Sequence, residues 1–180
     1  FLLDFTRVDF MIQNIGVIGA GQMGNGIAQV AACAGYDVVM IDIKQEFVDK
    51  GLETIRFSLG KLVSKERMTQ AQADAALAHI TTGTDRSLCA DCDLVVEAVP
   101  EMLSLKQEIF SELDGICKPE TILASNTSSI SISTIAASTG RPDKVIGMHF
   151  MNPVPIMKLV EIINGNGTSE ATNAAVVAAA

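Results

Sequence analysis

Apolar residues fall in short runs at 15–18, 38–41, 94–98, 122–124 and 145–148, and the stretches between them are longer and more polar. Runs that are apolar on consecutive positions predict strands covered on both faces of a sheet, because alternation is expected only where one face meets water. Helix patterns separate them: 23–34 closed by Gly35, a long polar stretch at 45–63, then 103–113 and 132–137. Thr69 followed by Gln72 has the spacing of a capping box and predicts a further helix ending near His79. Strand and helix alternate, which predicts an α/β fold with a doubly wound, mostly parallel sheet. After Pro155 the run 157–163 predicts one more strand, added at the sheet edge. Ser169 is placed to cap an alanine-rich helix over 169–180. No internal repeat and no low-complexity linker precedes that tail.

With 180 residues, 48% of them hydrophobic and 19% charged, the chain is sized for one domain with a full core. Residues 1–10 are broken by Asp4, Arg7 and Asp9, which makes them too charged for a signal or a membrane span. They read as a disordered leader or cloning remnant ahead of Met11, with residues 11–168 as the domain proper. A net charge of −8 offers no basic field for nucleic acid or an anionic membrane surface, so neither is expected as a partner. The four cysteines are scattered, which predicts reduced thiols and a cytoplasmic location. Cys89 and Cys92 have the spacing of a redox or metal pair. With no second pair and no neighbouring histidine, a surface turn with incidental thiols is the better reading.

The first strand runs into Gly19-Ala20-Gly21-Gln22-Met23-Gly24, a G-x-G-x-x-G turn that opens a helix. Gly19 permits the tight turn, Gly21 lets backbone amides approach a pyrophosphate, and Gly24 lets helix and strand pack closely. Asp42 ends the second strand, where an acid is expected on the adenosine ribose hydroxyls. Its charge would repel a 2′-phosphate, so the pattern predicts a Rossmann-like site for NAD rather than NADP.

The two histidines differ in setting. His79 ends a polar helix and reads as a solvated surface residue. His149 ends a strand and enters the proline-rich loop 150–155, on the side of a parallel sheet where chemistry collects. Beyond the loop, Lys158 precedes Glu161, a carboxylate among apolar neighbours that needs a partner. If the loop folds back, Glu161 can accept a hydrogen bond from one ring nitrogen of His149 and leave the other as a base. Spacing alone leaves equally open that the two never meet.

Five blocks together resemble the 3-hydroxyacyl-CoA dehydrogenase family: the glycine turn, Val95-Val96-Glu97-Ala98-Val99-Pro100-Glu101, Ala124-Ser125-Asn126-Thr127-Ser128-Ser129, His149-Phe150-Met151-Asn152-Pro153 and Met157-Lys158-Leu159-Val160-Glu161. The likeness runs from about residue 11 to 172, in the family's order. It implies His149 as the base, Glu161 as the residue that orients it, Ser128 between nicotinamide and substrate, and Asn152 facing the acyl-CoA. It implies cofactor contacts at Glu101 and Lys106 and, from a helix that varies in the family, CoA contacts at Ser58 and Lys65. The implied reaction is reversible NAD-linked oxidation of a 3-hydroxyacyl thioester, of the short-chain 3-hydroxybutyryl-CoA type. The family also has a helical second domain that builds much of a homodimer interface and supplies a substrate-contacting asparagine, and the resemblance stops before it. A non-catalytic NAD-binding module, such as the crystallin relatives of the family, is the alternative reading. A dehydrogenase of β-hydroxy acids would share the glycine turn but not the His149 and Glu161 blocks.

Overall fold

The computed structural model describes residues 11–180, and the reading of residues 1–10 as a leader lies outside them. Among the described residues one sheet is built from β1 (Asn14–Ile18), β2 (Asp37–Ile41), β3 (Ile80–Gly83), β4 (Leu94–Glu97), β5 (Ile122–Ser125), β6 (Val145–Phe150) and β7 (Val160–Asn164). Their spatial order is β3-β2-β1-β4-β5-β6-β7. The first six are parallel, and β7 pairs antiparallel with β6 at the edge. The helices are α1 (Gln22–Cys33), α2 (Gln45–Ser64), α3 (Gln70–Ala78), α4 (Leu103–Ile116), α5 (Ile132–Ala136) and α6 (Glu170–Ala179). This is the doubly wound arrangement that the alternation of runs predicts.

The sheet is buried on both sides, and the pleat sorts consecutive residues between two apolar clusters. Ile15, Val17, Val38, Met40, Leu94, Val96, Ile122, Ala124, Ile146 and Met148 face one cluster, packed with Ile27, Ile55 and Leu59 of α1 and α2. Their neighbours Ile18, Ile41, Val95, Leu123 and Val145 face the other, with Ile109, Phe110 and Leu113 of α4. A strand with both faces covered has no position for a polar side chain without a partner. That is why the sequence shows runs rather than alternation.

Local signals act as expected at several ends. Gly35 takes φ +94° just beyond α1, a conformation that only glycine adopts freely. The Thr69 side chain accepts from the Gln72 amide while the Gln72 side chain accepts from the Thr69 amide, completing the capping box of α3. Ser169 caps α6 by accepting from Thr172 N–H. That helix packs back on the sheet through the fully buried Val176.

The structure adds one strand and corrects two expectations. The strand β3, Ile-Thr-Thr-Gly, follows α3 directly and carries too little apolar character to be read; it forms because parallel pairing with β2 satisfies its backbone. The edge strand starts at Val160 rather than at 157, and Met157 and Leu159 stay exposed in the preceding loop. Cys89 and Cys92 do not lie on a surface turn: they are 0% and 4% exposed. A short 3-10 turn (Arg86–Cys89) and the turn after it carry them against β1, where Gly16 makes the room, since a Cβ there would lie 2.8 Å from the Cys89 sulfur and 3.3 Å from that of Cys92. Together with Cys117 they belong to the second apolar cluster, and burial pushes the Cys117 thiol up to about 11.

Candidate functional site

Strand order reverses beside β1, whose neighbours are β2 and β4, so the loops after these strands diverge and leave a crevice. A cleft of about 1010 Å³ opens there, lined by Gly19, Ala20, Gly21, Gln22 and Asp42 together with the start of the loop after β4. The glycine turn is made by necessity. Gly19 has φ +103°, and a Cβ on it would meet the Ala98 carbonyl oxygen at 2.8 Å. Gly24 sits so close that a Cβ would come within 1.7 Å of the Gly19 carbonyl oxygen. Gly21, by contrast, has open space where its side chain would be, and as N-cap of α1 it supplies no side-chain cap. The first amides of α1 therefore point outward without an intrahelical partner, at the positive end of the helix dipole. This cradle fits a pyrophosphate, and Met23 lies in the same first turn.

Asp42 follows β2 directly. One carboxylate oxygen accepts from Ala20 N–H at 2.7 Å and the other from Ile43 N–H at 2.7 Å. The carboxylate thus ties the glycine turn to β2 and retains lone pairs toward the cleft for ribose hydroxyls.

At the other end of the sheet His149 lies in β6 and Glu161 in β7, directly opposite each other in the antiparallel register. His149 Nδ1–H donates to Glu161 Oε2 at 2.8 Å. The carboxylate is acceptor-only, so it holds the proton on Nδ1 and leaves Nε2 as the free lone pair. His79 instead pairs with Asp37 at the opposite, amino-terminal end of the strands, at 2.7 Å, with both side chains well exposed.

The loop after β6 is folded back onto the dinucleotide side. Val154 is buried against Gly26 of α1, where a Cβ would lie 2.8 Å from the Val154 Cβ. Gln22 Nε2 donates to Asn152 Oδ1 at 3.2 Å, joining the glycine turn to the loop. Phe150 N–H donates to Asn126 Oδ1 at 2.8 Å, which joins β6 to the serine block after β5. Ser128 stands exposed in that block, its N–H bound to Glu101 Oε1 at 3.1 Å.

Glu101 gathers the serine block: Oε1 also accepts from Ser129 N–H at 3.2 Å, from Ser129 Oγ at 3.1 Å and from the Thr127 hydroxyl. Partial burial pushes its carboxyl up, but the Thr127 hydrogen bond, the Lys106 charge and the Ser129 hydrogen bond outweigh that and hold it at about 2. Lys106 is only 1% exposed and does not line the cleft. Its ammonium lies 2.7 Å from Glu97 Oε1, 3.3 Å from Glu101 Oε2 and 3.4 Å from the Val99 carbonyl. Ser58 is half-buried within α2 and Lys65 follows its last turn, exposed; neither lines the cleft. Lys158 is exposed in the loop before β7.

The sequence reading passed over Glu97, Ser125, Asn126 and Thr127. A signal for Glu97 was present, since it is a carboxylate inside the apolar run 94–98, the same pattern that drew attention to Glu161. Among the described residues no cluster of His, Cys, Asp and Glu could hold a metal ion, and no helix is long and apolar enough to cross a membrane.

The sequence and the fold have clear relatives among known proteins. A 3-hydroxybutyryl-CoA dehydrogenase from Bradyrhizobium diazoefficiens is 51% identical over 162 residues, 90% of this chain and 55% of that protein. A probable 3-hydroxybutyryl-CoA dehydrogenase from Deinococcus radiodurans is 57% identical over 157 residues, 87% of this chain and 56% of its own length. The crystal structure of (S)-3-hydroxybutyryl-CoA dehydrogenase from Ralstonia eutropha superposes with a TM-score of 0.91 at 50% identity, covering 93% of this chain and 59% of that one. The chain thus spans somewhat more than half the length of these relatives. Residues 14–180 match the family described as 3-hydroxyacyl-CoA dehydrogenase, NAD binding domain, and the chain belongs to that family.

Proposed function

We propose that the protein is an NAD-dependent oxidoreductase that interconverts 3-hydroxyacyl-CoA and 3-ketoacyl-CoA, with the short-chain 3-hydroxybutyryl-CoA as substrate. The observation that carries this reading is the His149–Glu161 contact at 2.8 Å, next to a loop that Gln22 ties to the dinucleotide turn. The names of the relatives, 3-hydroxybutyryl-CoA dehydrogenases at 51% identity and above, support the substrate class.

NAD, when bound, supplies the hydride acceptor. The amides at the start of α1 hold its pyrophosphate, and Asp42 takes the adenosine ribose. His149 removes the proton of the 3-hydroxyl through Nε2, and Glu161 stabilises the resulting imidazolium and keeps the ring in place. In the reducing direction His149 returns the proton. The Ser128 hydroxyl and the Asn152 amide donate to the substrate oxygen, whose charge grows in the transition state. Ser58 on α2 and Lys65 just beyond its end are proposed CoA contacts. Buried thiols at Cys89, Cys92 and Cys117 support the cytoplasm as the compartment, and a homodimer is the proposed assembly.

The test is NADH oxidation with acetoacetyl-CoA, followed by the loss of the reduced nicotinamide absorbance alongside direct NADH titration. Turnover abolished by His149→Gln supports the reading. NADH binding without any turnover of the full-length wild-type protein would leave only a dinucleotide-binding module.

A further inference from the structure

Glu97 is fully buried, yet its carboxylate is the point from which three segments of the site are held. Oε1 accepts from Lys106 Nζ at 2.7 Å and from Val99 N–H at 2.7 Å; Oε2 accepts from Ser125 Oγ at 2.7 Å. Two branches lead from it to the same turn. In one, the Ser125 hydroxyl accepts from Thr127 N–H at 3.3 Å. In the other, Lys106 passes to Glu101, whose Oε1 receives the amides of Ser128 and Ser129. The same pair also clamps both polar groups of Val99, in the wall of the dinucleotide cleft beside Gly19.

Lys106 has three N–H donors and three acceptors within reach, and with 1% exposure it has none left over for a ligand. A buried ion pair is weak support for stability, since apolar residues of similar volume commonly serve as well or better. Its geometry is what distinguishes it here.

We propose that Glu97 is a positioning residue for the reaction, acting through Ser125, Lys106 and Glu101 to set the turn that presents Ser128, and that Lys106 belongs to this buried unit rather than contacting NAD directly. The effect on turnover rests on the function proposed above; the effect on the turn does not. Covalent chemistry is not assigned to either residue. Their work is done before substrate arrives, by keeping the Ser128 hydroxyl in register with the His149 side of the site.

The experiment replaces the pair by apolar residues, Glu97→Met with Lys106→Met, beside each single substitution. The readouts are melting temperature, amide hydrogen exchange at residues 127–129, NADH affinity by direct titration, and kcat and KM for acetoacetyl-CoA reduction under saturating NADH. The single substitutions lower the melting temperature: Lys106→Met leaves the buried Glu97 charge without a counter-charge, and Glu97→Met leaves the buried Lys106 with Glu101 alone. The double variant regains it, yet the amides of residues 127–129 exchange roughly 10-fold faster, because their acceptors Glu101 and Ser125 lose the groups that hold them in place. In that variant kcat falls on the order of 10²-fold, with the NADH affinity changed far less. Recovery of both melting temperature and kcat in the double variant, with those amides still protected, would overturn the proposal. So would a Lys106→Met protein that keeps kcat but binds NADH more weakly, since that is the behaviour of a direct ligand. Should the double variant fail to fold, Ser125→Ala cuts one branch by removing a single hydroxyl, and unchanged protection of the Thr127 amide would overturn that branch. A full-length wild-type protein without turnover would sink the proposed function, while amide exchange would still decide the role of Glu97.

Discussion

His149 and Glu161 are cross-strand partners held by backbone pairing, so a change of one side chain should leave the backbone around it in place. His149→Gln keeps the size and polarity of the residue but removes the base. We expect kcat to fall by about 10²–10⁴-fold while NADH affinity stays near wild type. Glu161→Gln leaves an amide that can still accept from Nδ1 but no longer stabilises the imidazolium, and the double variant should be no worse than His149→Gln alone. Steady-state kinetics of the four proteins check this, and additive losses would mean that the two residues act independently. Glu101 supplies a pH signature. Its carboxyl sits at about 2 against an ordinary 4.5, so its contribution to stability is complete above 4.5 and is lost as pH falls toward 2. Urea unfolding midpoints of wild type and Glu101→Gln should therefore converge as pH falls through that window. Midpoints that run parallel over the whole window would contradict the assignment.

Among the elements, the glycine turn and the helix after it show how differently two glycines can matter. Gly24 in α1 lies against the Gly19 carbonyl oxygen, backbone that cannot move without breaking the turn. Gly24→Ala should cost on the order of 3 kcal/mol and weaken NAD binding, because the clash must displace the anion cradle. Gly60 is exposed in the interior of α2 and has no atom within 4 Å of where a Cβ would sit. Gly60→Ala should stabilise by about 0.5–1 kcal/mol through lower backbone entropy in the unfolded chain. Thermal or denaturant unfolding of both variants reads these signs directly. The capping box of α3 is a third element-level device, worth about 1 kcal/mol, which Thr69→Ala would remove.

For the whole molecule, cofactor binding and folding are linked, since the cradle exists only when β1, β2 and β4 are assembled. NAD at roughly 100 times its Kd should stabilise the protein by about 2.7 kcal/mol, visible as a raised melting temperature. NADP at the same concentration should raise it less, because its 2′-phosphate meets the Asp42 carboxylate. Equal shifts with the two cofactors would remove Asp42 as the discriminating group. Asp42→Ala should narrow the gap, but it should also lower the melting temperature without any cofactor, because the carboxylate holds the Ala20 amide of the turn. The net charge of −8 adds general repulsion that also weighs more on the extra 2′-phosphate, so the change of the gap in Asp42→Ala is what isolates the part due to Asp42.

The order of strands and helices, the glycine turn and the caps at Gly35, Thr69 and Ser169 were all legible in the chain, because each is set by residues within a few positions of one another. β3 was not, since four weakly apolar residues become a strand only when β2 lies alongside to take their hydrogen bonds. The burial of Cys89 and Cys92 likewise depends on the space left by Gly16, more than seventy positions earlier. For the site, the sequence by itself named His149 and Glu161 but left open whether they meet; the antiparallel return of β7 decided it by placing them opposite each other. It also named Lys106 through resemblance alone. Only the packing of α4 on β4 showed the ammonium enclosed by Glu97, Glu101 and Val99. Local chemistry chooses the elements, whereas the partners of a buried charge come from distant parts of the chain and are set when the layers close.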